Sequence, residues 1–192
     1  MNTVHVDLGA AWRGGQNQAL LLMQELRERG HGVELVAVEG GALIERARRS
    51  RIPVHPASAA RPRLAAAWRL VRLKADVVHC HDAHGLTAAW LSGVHRRAGL
   101  AASRRLAYPL AGGALGLARY RSAGRMIAVS EFVKNSVVAS GIPAAKVAVV
   151  YDGVPIPPRF GPEERAAARR LWSDAPEEPL IGCVGYLLPE KG

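Results

Sequence analysis

Short apolar runs alternate with longer amphipathic ones along these 192 residues, and the alternation predicts a parallel sheet with helices on both faces. Strands are predicted at Val4–Leu8, Val33–Val38, Ile52–His55, Asp76–Cys80, Ser103–Ala107, Arg125–Val129 and Val147–Tyr151. Between and after them, helices are predicted at Gln16–Arg29, Ala42–Ser50, Leu64–Leu73, Gly85–Arg96, Gly112–Arg121, Glu131–Ser140 and Glu163–Trp172. The first helix shows the pattern plainly: Ala19, Leu20, Leu22, Met23 and Leu26 share one stripe, and Gly30 follows as a terminator. Ser103–Ala107 is the least regular strand, because it carries Arg104 and Arg105. The fold class expected is α/β, a doubly wound and mainly parallel Rossmann-like sheet of about seven strands.

Pro155-Ile-Pro-Pro158 removes backbone donors that a central strand needs, so the first sheet is expected to end near Gly153. Ser173–Pro179 reads as a hinge linker. Pro179-Leu-Ile-Gly-Cys-Val-Gly185 then repeats the apolar strand and glycine pattern with which the chain begins. The expected organisation is an N-terminal Rossmann-like domain over 1–172, then a linker and the start of a second domain over 173–192.

No apolar run reaches 18 residues, which argues against a membrane-spanning helix, and no secretory leader opens the sequence. Cys80 and Cys183 lie in apolar runs and read as buried thiols of a cytoplasmic protein. The net charge of +10 is unevenly placed: Arg46 to Lys74 holds nine Lys/Arg and no acid, and Arg96 to Arg125 holds seven more. Such runs are either a solvated face or a surface for anionic lipid headgroups or a phosphorylated acceptor. Nucleic acid is not expected as a partner, since no recognition motif is visible and aromatics are 5% of the chain.

Candidate chemistry collects at predicted strand ends. Gly14, Gly15 and Gln16 stand between the first strand and first helix, where a ligand can approach the backbone and free N–H groups face an anion. The spacing is neither the dinucleotide fingerprint nor a Walker loop, which argues against nicotinamide and ATP. His79-Cys-His-Asp-Ala-His84 is the densest polar cluster. His79 and His81 would share one side of their strand, and His84 would cap the following helix. Zinc ligation is one reading of this cluster, and contact with a substrate hydroxyl or service as a base is the other. His5 reads as a structural histidine. Arg104 and Arg105 are either a surface pair or a cationic clamp for a phosphate or carboxylate. Ser130 is an N-cap facing the same edge of the sheet.

The stretch Ile127-Ala-Val-Ser-Glu-Phe-Val-Lys-Asn135, with Ala139-Ser-Gly-Ile-Pro143 and Lys146-Val-Ala-Val-Val-Tyr-Asp-Gly153, resembles the late N-terminal-domain segment of retaining glycosyltransferases of the GT4 family. Gly14-Gly15, Asp76-Val-Val-His-Cys-His-Asp82 and Val184-Gly-Tyr-Leu-Leu-Pro-Glu-Lys-Gly192 are similar to further family segments in the same order. The resemblance implies the GT-B fold, two facing Rossmann-like domains with the active site between them. It implies transfer of a sugar from a nucleotide-sugar donor to a sugar, lipid-linked or other anionic acceptor, with retention of configuration. No metal and no cofactor beyond the donor is implied. Gly14, Gly15, Gln16 and Lys191 would then serve the donor, and Arg104, Arg105, His84 and Ser130 the acceptor. Asp82 and His81 would be the catalytic candidates. Tyr186 stands where many members have arginine, and Ser103-Arg-Arg-Leu-Ala-Tyr108 lacks the histidine many members carry there.

On this reading the protein works in the cytoplasm, in cell-envelope glycan or glycolipid synthesis, with peripheral contact at the inner face of the membrane. The 192 residues alone are expected to be inactive, because the paired glutamates of the family belong to the donor-side domain. A nucleotide-sugar epimerase of the same fold and a non-catalytic module for an anionic ligand are the alternatives.

Overall fold

A computed structural model describes residues 1–110, 113–173, 175 and 178–182. Two compact units divide the chain, Met1–Val154 and Pro155–Gly192. In the first, the order is β1 (Asn2–Asp7), α1 (Gly14–Glu28), β2 (Gly32–Val38), α2 (Ala42–Arg49), β3 (Val54–Ala57), α3 (Pro62–Arg72), β4 (Val77–Cys80), α4 (Ala83–Leu91), β5 (Gly99–Arg104), α5 (Gly113–Arg121), β6 (Arg125–Ala128), α6 (Glu131–Ala139) and β7 (Val147–Val149). The second contains α7 (Pro162–Arg170), whose first turn holds Glu163 and Glu164 and whose last holds Arg169 and Arg170, in keeping with the helix dipole.

The seven strands form one sheet in the order β3-β2-β1-β4-β5-β6-β7, and every pairing is parallel. Chain order runs outward from β1 in one direction and outward from β4 in the other. Right-handed crossovers therefore set their helices on opposite faces of the sheet. Two clusters of buried side chains follow from this. On one face Val4, Val6, Val36, Val78, Cys80, Leu100, Ala102, Met126 and Ala128 pack with Ala66 and Leu70 of α3, Leu86 and Ala89 of α4, and Val133 and Val137 of α6. On the other, Val33, Leu35 and Ala37 of β2 meet Leu20 and Met23 of α1 and Leu43, Ile44 and Ala47 of α2. The period of two along each strand sends alternate residues to the two clusters. Burial of each such Val, Leu or Met contributes about 1.5–3 kcal/mol.

Several predicted boundaries move, each for a physical reason. The fifth strand is Gly99–Arg104 rather than 103–107, because the small residues Gly99, Ala101 and Ala102 suit a strand packed on both sides. The third is Val54–Ala57 rather than 52–55; it is an edge strand paired only to β2, so Pro56 is tolerated there. The helix predicted from Gly85 begins at Ala83 and stops at Leu91, with Gly93 in a left-handed conformation and a short 3-10 turn over Val94–Arg96. Asp82, not His84, caps that helix: its Oδ1 accepts from Gly85 N at 2.8 Å. Gly14 and Gly15 belong to the first turn of α1 rather than to the loop ahead of it. Cys80 is a buried free thiol, and Cys183 lies outside the described residues.

Candidate functional site at the strand switch

β1 and β4 are the neighbours from which chain order runs outward in opposite directions, and that switch point, beyond the carboxyl ends of the strands, is where open α/β sheets hold their ligands. The residues on the loops after these two strands are Leu8–Arg13, running into α1, and His81–Asp82, running into α4. Gly85 brings the two together. A Cβ built there would stand 2.7 Å from Asp82 Oδ1, 3.0 Å from Val6 Cγ1 and 3.1 Å from Val6 O, so only glycine lets the start of α4 sit this close to β1. Gly14 is the opposite case. Its Cβ would meet nothing within 4 Å, and its φ needs no glycine. No packing demand calls for glycine at this position. The open space above it, at a helix start with no acidic residue in the first turn, suits an anionic ligand.

Beneath this turn lies Asp7, the last residue of β1 and 1% exposed. Its Oδ1 accepts from Gly9 N at 2.9 Å, and the Gln16 amide Nε2 donates to both carboxylate oxygens at 3.0 and 3.2 Å. Gln16 Oε1 in turn accepts from Arg13 N at 3.2 Å, tying the loop to the helix start. Burial pushes the Asp7 carboxyl up to about 6, against the bond from Gln16, with the nearby Asp82 charge raising it further. Asp82 Oδ1 accepts from Leu8 N at 3.3 Å as well as from Gly85 N, so this one carboxylate binds the loop after β1 to the helix after β4. Burial raises its pKa too, opposed by those two backbone bonds.

Three histidines line up under the same edge. His5 and His79 are register partners on β1 and β4, and His81 follows. The His5 and His81 rings stack with centroids 5.2 Å apart, and those of His79 and His81 lie 4.2 Å apart. His5 Nδ1 and His81 Nε2 share a hydrogen bond of 2.9 Å, and His79 Nε2 meets Ser103 Oγ at 2.8 Å. Burial holds all three below the usual histidine range, His5 at about 3, His79 at about 4 and His81 well below 6.5. They are neutral at pH 7. His5 Nε2 and His81 Nδ1 have no partner, so whichever ring donates in the shared bond, one N–H and one lone pair remain unpaired. His5 is thus a buried core histidine that shares one hydrogen bond with the column. One nitrogen from each ring falls within 4.8 Å of the others, a spacing that fits a metal ion. Two facts oppose that use: the His5–His81 bond already occupies one convergent pair, and the positive charge of Arg105 acts on both His79 and His81.

The two arginines at the carboxyl end of β5 part company. Arg104 Nη2 donates to Tyr108 O at 2.7 Å. Arg105 turns towards the glycine turn: its Cδ is 4.0 Å from the Cβ position of Gly15, and its Nε donates to both Asp152 oxygens at 3.2 Å. Arg105 Nη1 is buried without a partner. Adjacent residues of an extended segment point to opposite sides, which is why these two do not form one clamp. Ser130 caps α6 through Val133 N at 3.2 Å, at the carboxyl end of β6. His84 is exposed in the first turn of α4, where its charge lowers the Asp82 pKa. Lys191 lies outside the described residues. Sequence reasoning missed Asp7 and Asp152. The signal for Asp7 was an acid ending an apolar strand just before a glycine-rich turn; Asp152 had none, since its role depends on Arg105, 47 residues away.

Among the described residues no helix is long and apolar enough to cross a membrane. No curated protein matches the chain in sequence. Solved structures do match it in fold. A glycosyltransferase from Rickettsia africae gives a TM-score of 0.71 at 18% identity, covering 90% of this chain and 50% of that one. Anabaena Alr3699/HepE in complex with UDP gives 0.69 at 16% identity, covering 89% and 50%. Acinetobacter baumannii MurG gives 0.57 at 16% identity, covering 81% and 47%. The chain thus spans about half the length of the structures it resembles. The sequence model described as Glycosyltransferase Family 4 matches residues 12–156, and with that match over most of its length the chain belongs to this family.

Proposed function

We propose that the protein transfers a sugar from a nucleotide-sugar donor to an acceptor hydroxyl with retention of configuration. The bond from the anomeric carbon to the nucleotide diphosphate breaks, and a bond to the acceptor oxygen forms as that oxygen gives up its proton to the departing diphosphate. The observation that carries this reading is the family match laid over the switch point between β1 and β4, where the first turn of α1 is open at Gly14 and Arg105 packs beside Gly15. The UDP complex of the Anabaena structure supports a nucleotide-linked donor.

Gly14 and Gly15 approach the donor phosphates, with Gln16 holding the turn through Asp7. Lys191 belongs to the same phosphate cradle by its resemblance to the family segment. Arg105 meets the acceptor's anionic group, with Arg104, His84 and Ser130 at the same edge of the sheet. The acceptor class is a sugar or lipid-linked anion of the cell envelope. Asp82 and His81 act by positioning: Asp82 joins the two loops of the switch point, and His81 belongs to the neutral column below it. The reading calls for no metal and no cofactor besides the donor.

Holding donor and acceptor in register supplies about 7–11 kcal/mol of such a barrier, and we assign that task to two facing domains. A panel of labelled nucleotide sugars, offered with acceptor extracts to the whole protein and to the 192-residue chain, tests the reading. The whole protein is expected to transfer label and the chain alone is not. Transfer by the chain alone contradicts the two-domain account, and conversion of the donor without acceptor would favour an epimerase.

A further inference from the structure

After β7, at one edge of the sheet, the chain turns back along the carboxyl ends of its neighbours. Val150 N still donates to Ala128 O of β6 at 2.9 Å. Asp152 then stands beside Arg105, at the carboxyl end of β5, and Gly153 O accepts from Gln18 Nε2 of α1 at 2.9 Å. Because α1 follows β1, with β4, β5 and β6 between it and β7, the segment 150–154 runs along the edge at which Gly14 and Gly15 lie. Burial does not fix this strap, since Tyr151 and Val154 are 71% and 74% exposed. Among the described residues it is tied down beyond Val150 only by its contacts with Arg105 and Gln18. The first of these is loose for its kind. One Nε–H is shared between two carboxylate oxygens at 3.2 Å each, longer than the roughly 2.7–2.9 Å of a strong charge-assisted bond and without the parallel bonds of a forked pair. The two side chains are 21% and 33% exposed, so solutes reach them. Arg105 Cδ also lies 4.0 Å from the Cβ position of Gly15, against the first turn of α1.

We propose that Asp152 is a built-in competitor for Arg105: the anionic group of an incoming ligand displaces its carboxylate, and the strap then lets go of α1. The inference rests on the reading of the α1 turn as a ligand site and adds a release step to binding there. Until a ligand arrives, the carboxylate neutralises the guanidinium and repels an anion approaching Gly15. Once it is displaced, one exposed, uncharged hydrogen bond from Gln18 remains, too little to hold the strap against its chain entropy. Val154 is the last residue of the first unit, so the latch restrains the segment that leads into the second. A purely structural ion pair carries the opposite sign: loss of Asp152 would slacken Arg105 and weaken anion binding, whereas loss of a competitor strengthens it.

The test is a titration of the isotopically labelled 192-residue chain with inorganic pyrophosphate, with sodium chloride at matched ionic strength as the control for screening. As the Gly14 and Gly15 amide shifts saturate, the heteronuclear nuclear Overhauser effect of the Gly153 and Val154 amides should fall, and the control should leave it high. Asp152→Asn should lower that effect without ligand and bind pyrophosphate about threefold to fivefold more tightly, the worth of one exposed ion pair. Arg105→Ala added to Asp152→Asn should abolish the gain. Equal or weaker binding by Asp152→Asn overturns the proposal. So does a strap that is already mobile in the free native chain, or one that stays rigid once Gly14 and Gly15 have saturated; the ligand site itself survives these results. No shift at Gly14 and Gly15 in either the native chain or Asp152→Asn overturns the latch together with the ligand reading of the turn.

Discussion

Asp7 shows what the site costs and why it is worth testing first. Its carboxyl is held at about 6 against an ordinary 3.8, so the folded chain binds its proton more readily than the unfolded chain does. A raised carboxylate pKa contributes stability that is present below the unfolded value and lost as pH rises through the folded one. At pH 7 the charged form is therefore a net liability. Asp7→Asn keeps an acceptor for Gly9 N and should raise stability at pH 7 by about 1–3 kcal/mol, with the gain fading towards pH 4. Thermal melts of the two proteins at both values check this; a destabilised variant at pH 7 would show that the carboxylate is needed for the fold. Arg105 carries the complementary expectation. Because Arg105 packs beside Gly15 in the first turn of α1, Arg105→Ala should weaken binding of an anionic ligand by about tenfold or more, whereas Arg104→Ala, whose Nη2 turns away to Tyr108 O, should change it little. Equal effects of the two in a binding titration would contradict this division.

At the scale of elements, two glycines separate packing from ligand access. Gly85→Ala forces a methyl against Asp82 and the β1 backbone and should cost about 1–3 kcal/mol or more. Gly14→Ala meets nothing and should leave stability unchanged or slightly higher, while weakening ligand binding. Denaturant melts together with a binding titration distinguish the two. The same contrast explains what could be read from the sequence. The alternation of strands and helices was legible because each face of the sheet needs its own apolar period, and all seven strands fall on or beside their predicted places. The ends of β5 and α4 were not, because they are set by neighbours: small residues packed between β4 and β6, and a cap from Asp82. Gly14, Gly15, Asp82, Arg105 and Ser130 lie just beyond the carboxyl ends of strands, as the alternation of elements implies. The pairing of Arg105 with Asp152, the Gln16–Asp7 bond and the entry of His5 into the histidine column were hidden, because each depends on residues distant in the chain and brought together only by the register.

For the molecule as a whole, the buried histidines dominate the response to acid. His5, His79 and His81 all titrate below 6.5 in the folded chain, so the unfolded chain takes up more protons as pH falls below that value. Stability held by their neutral forms is lost from about pH 6.5 downwards. The raised Asp7 and Asp82 act in the opposite sense over the upper carboxylate range, but three groups with larger shifts outweigh two. The melting temperature should be level near pH 7–8 and drop steadily towards about pH 5. A melting temperature that rises towards pH 5 would mean that the column is not buried and neutral as described. The central claim concerns where the first unit meets its ligand: the switch point between β1 and β4. Amide chemical shifts of the isotopically labelled 192-residue chain, followed during titration with UDP to about 10 mM, test it most directly, since millimolar binding corresponds to only about 4 kcal/mol. The account predicts that Gly14 and Gly15 move together, while Gly32 and Gly99, at the amino ends of β2 and β5, stay fixed. Shifts centred on those amino ends, or no shift at Gly14 and Gly15 at the end of the titration, would contradict it.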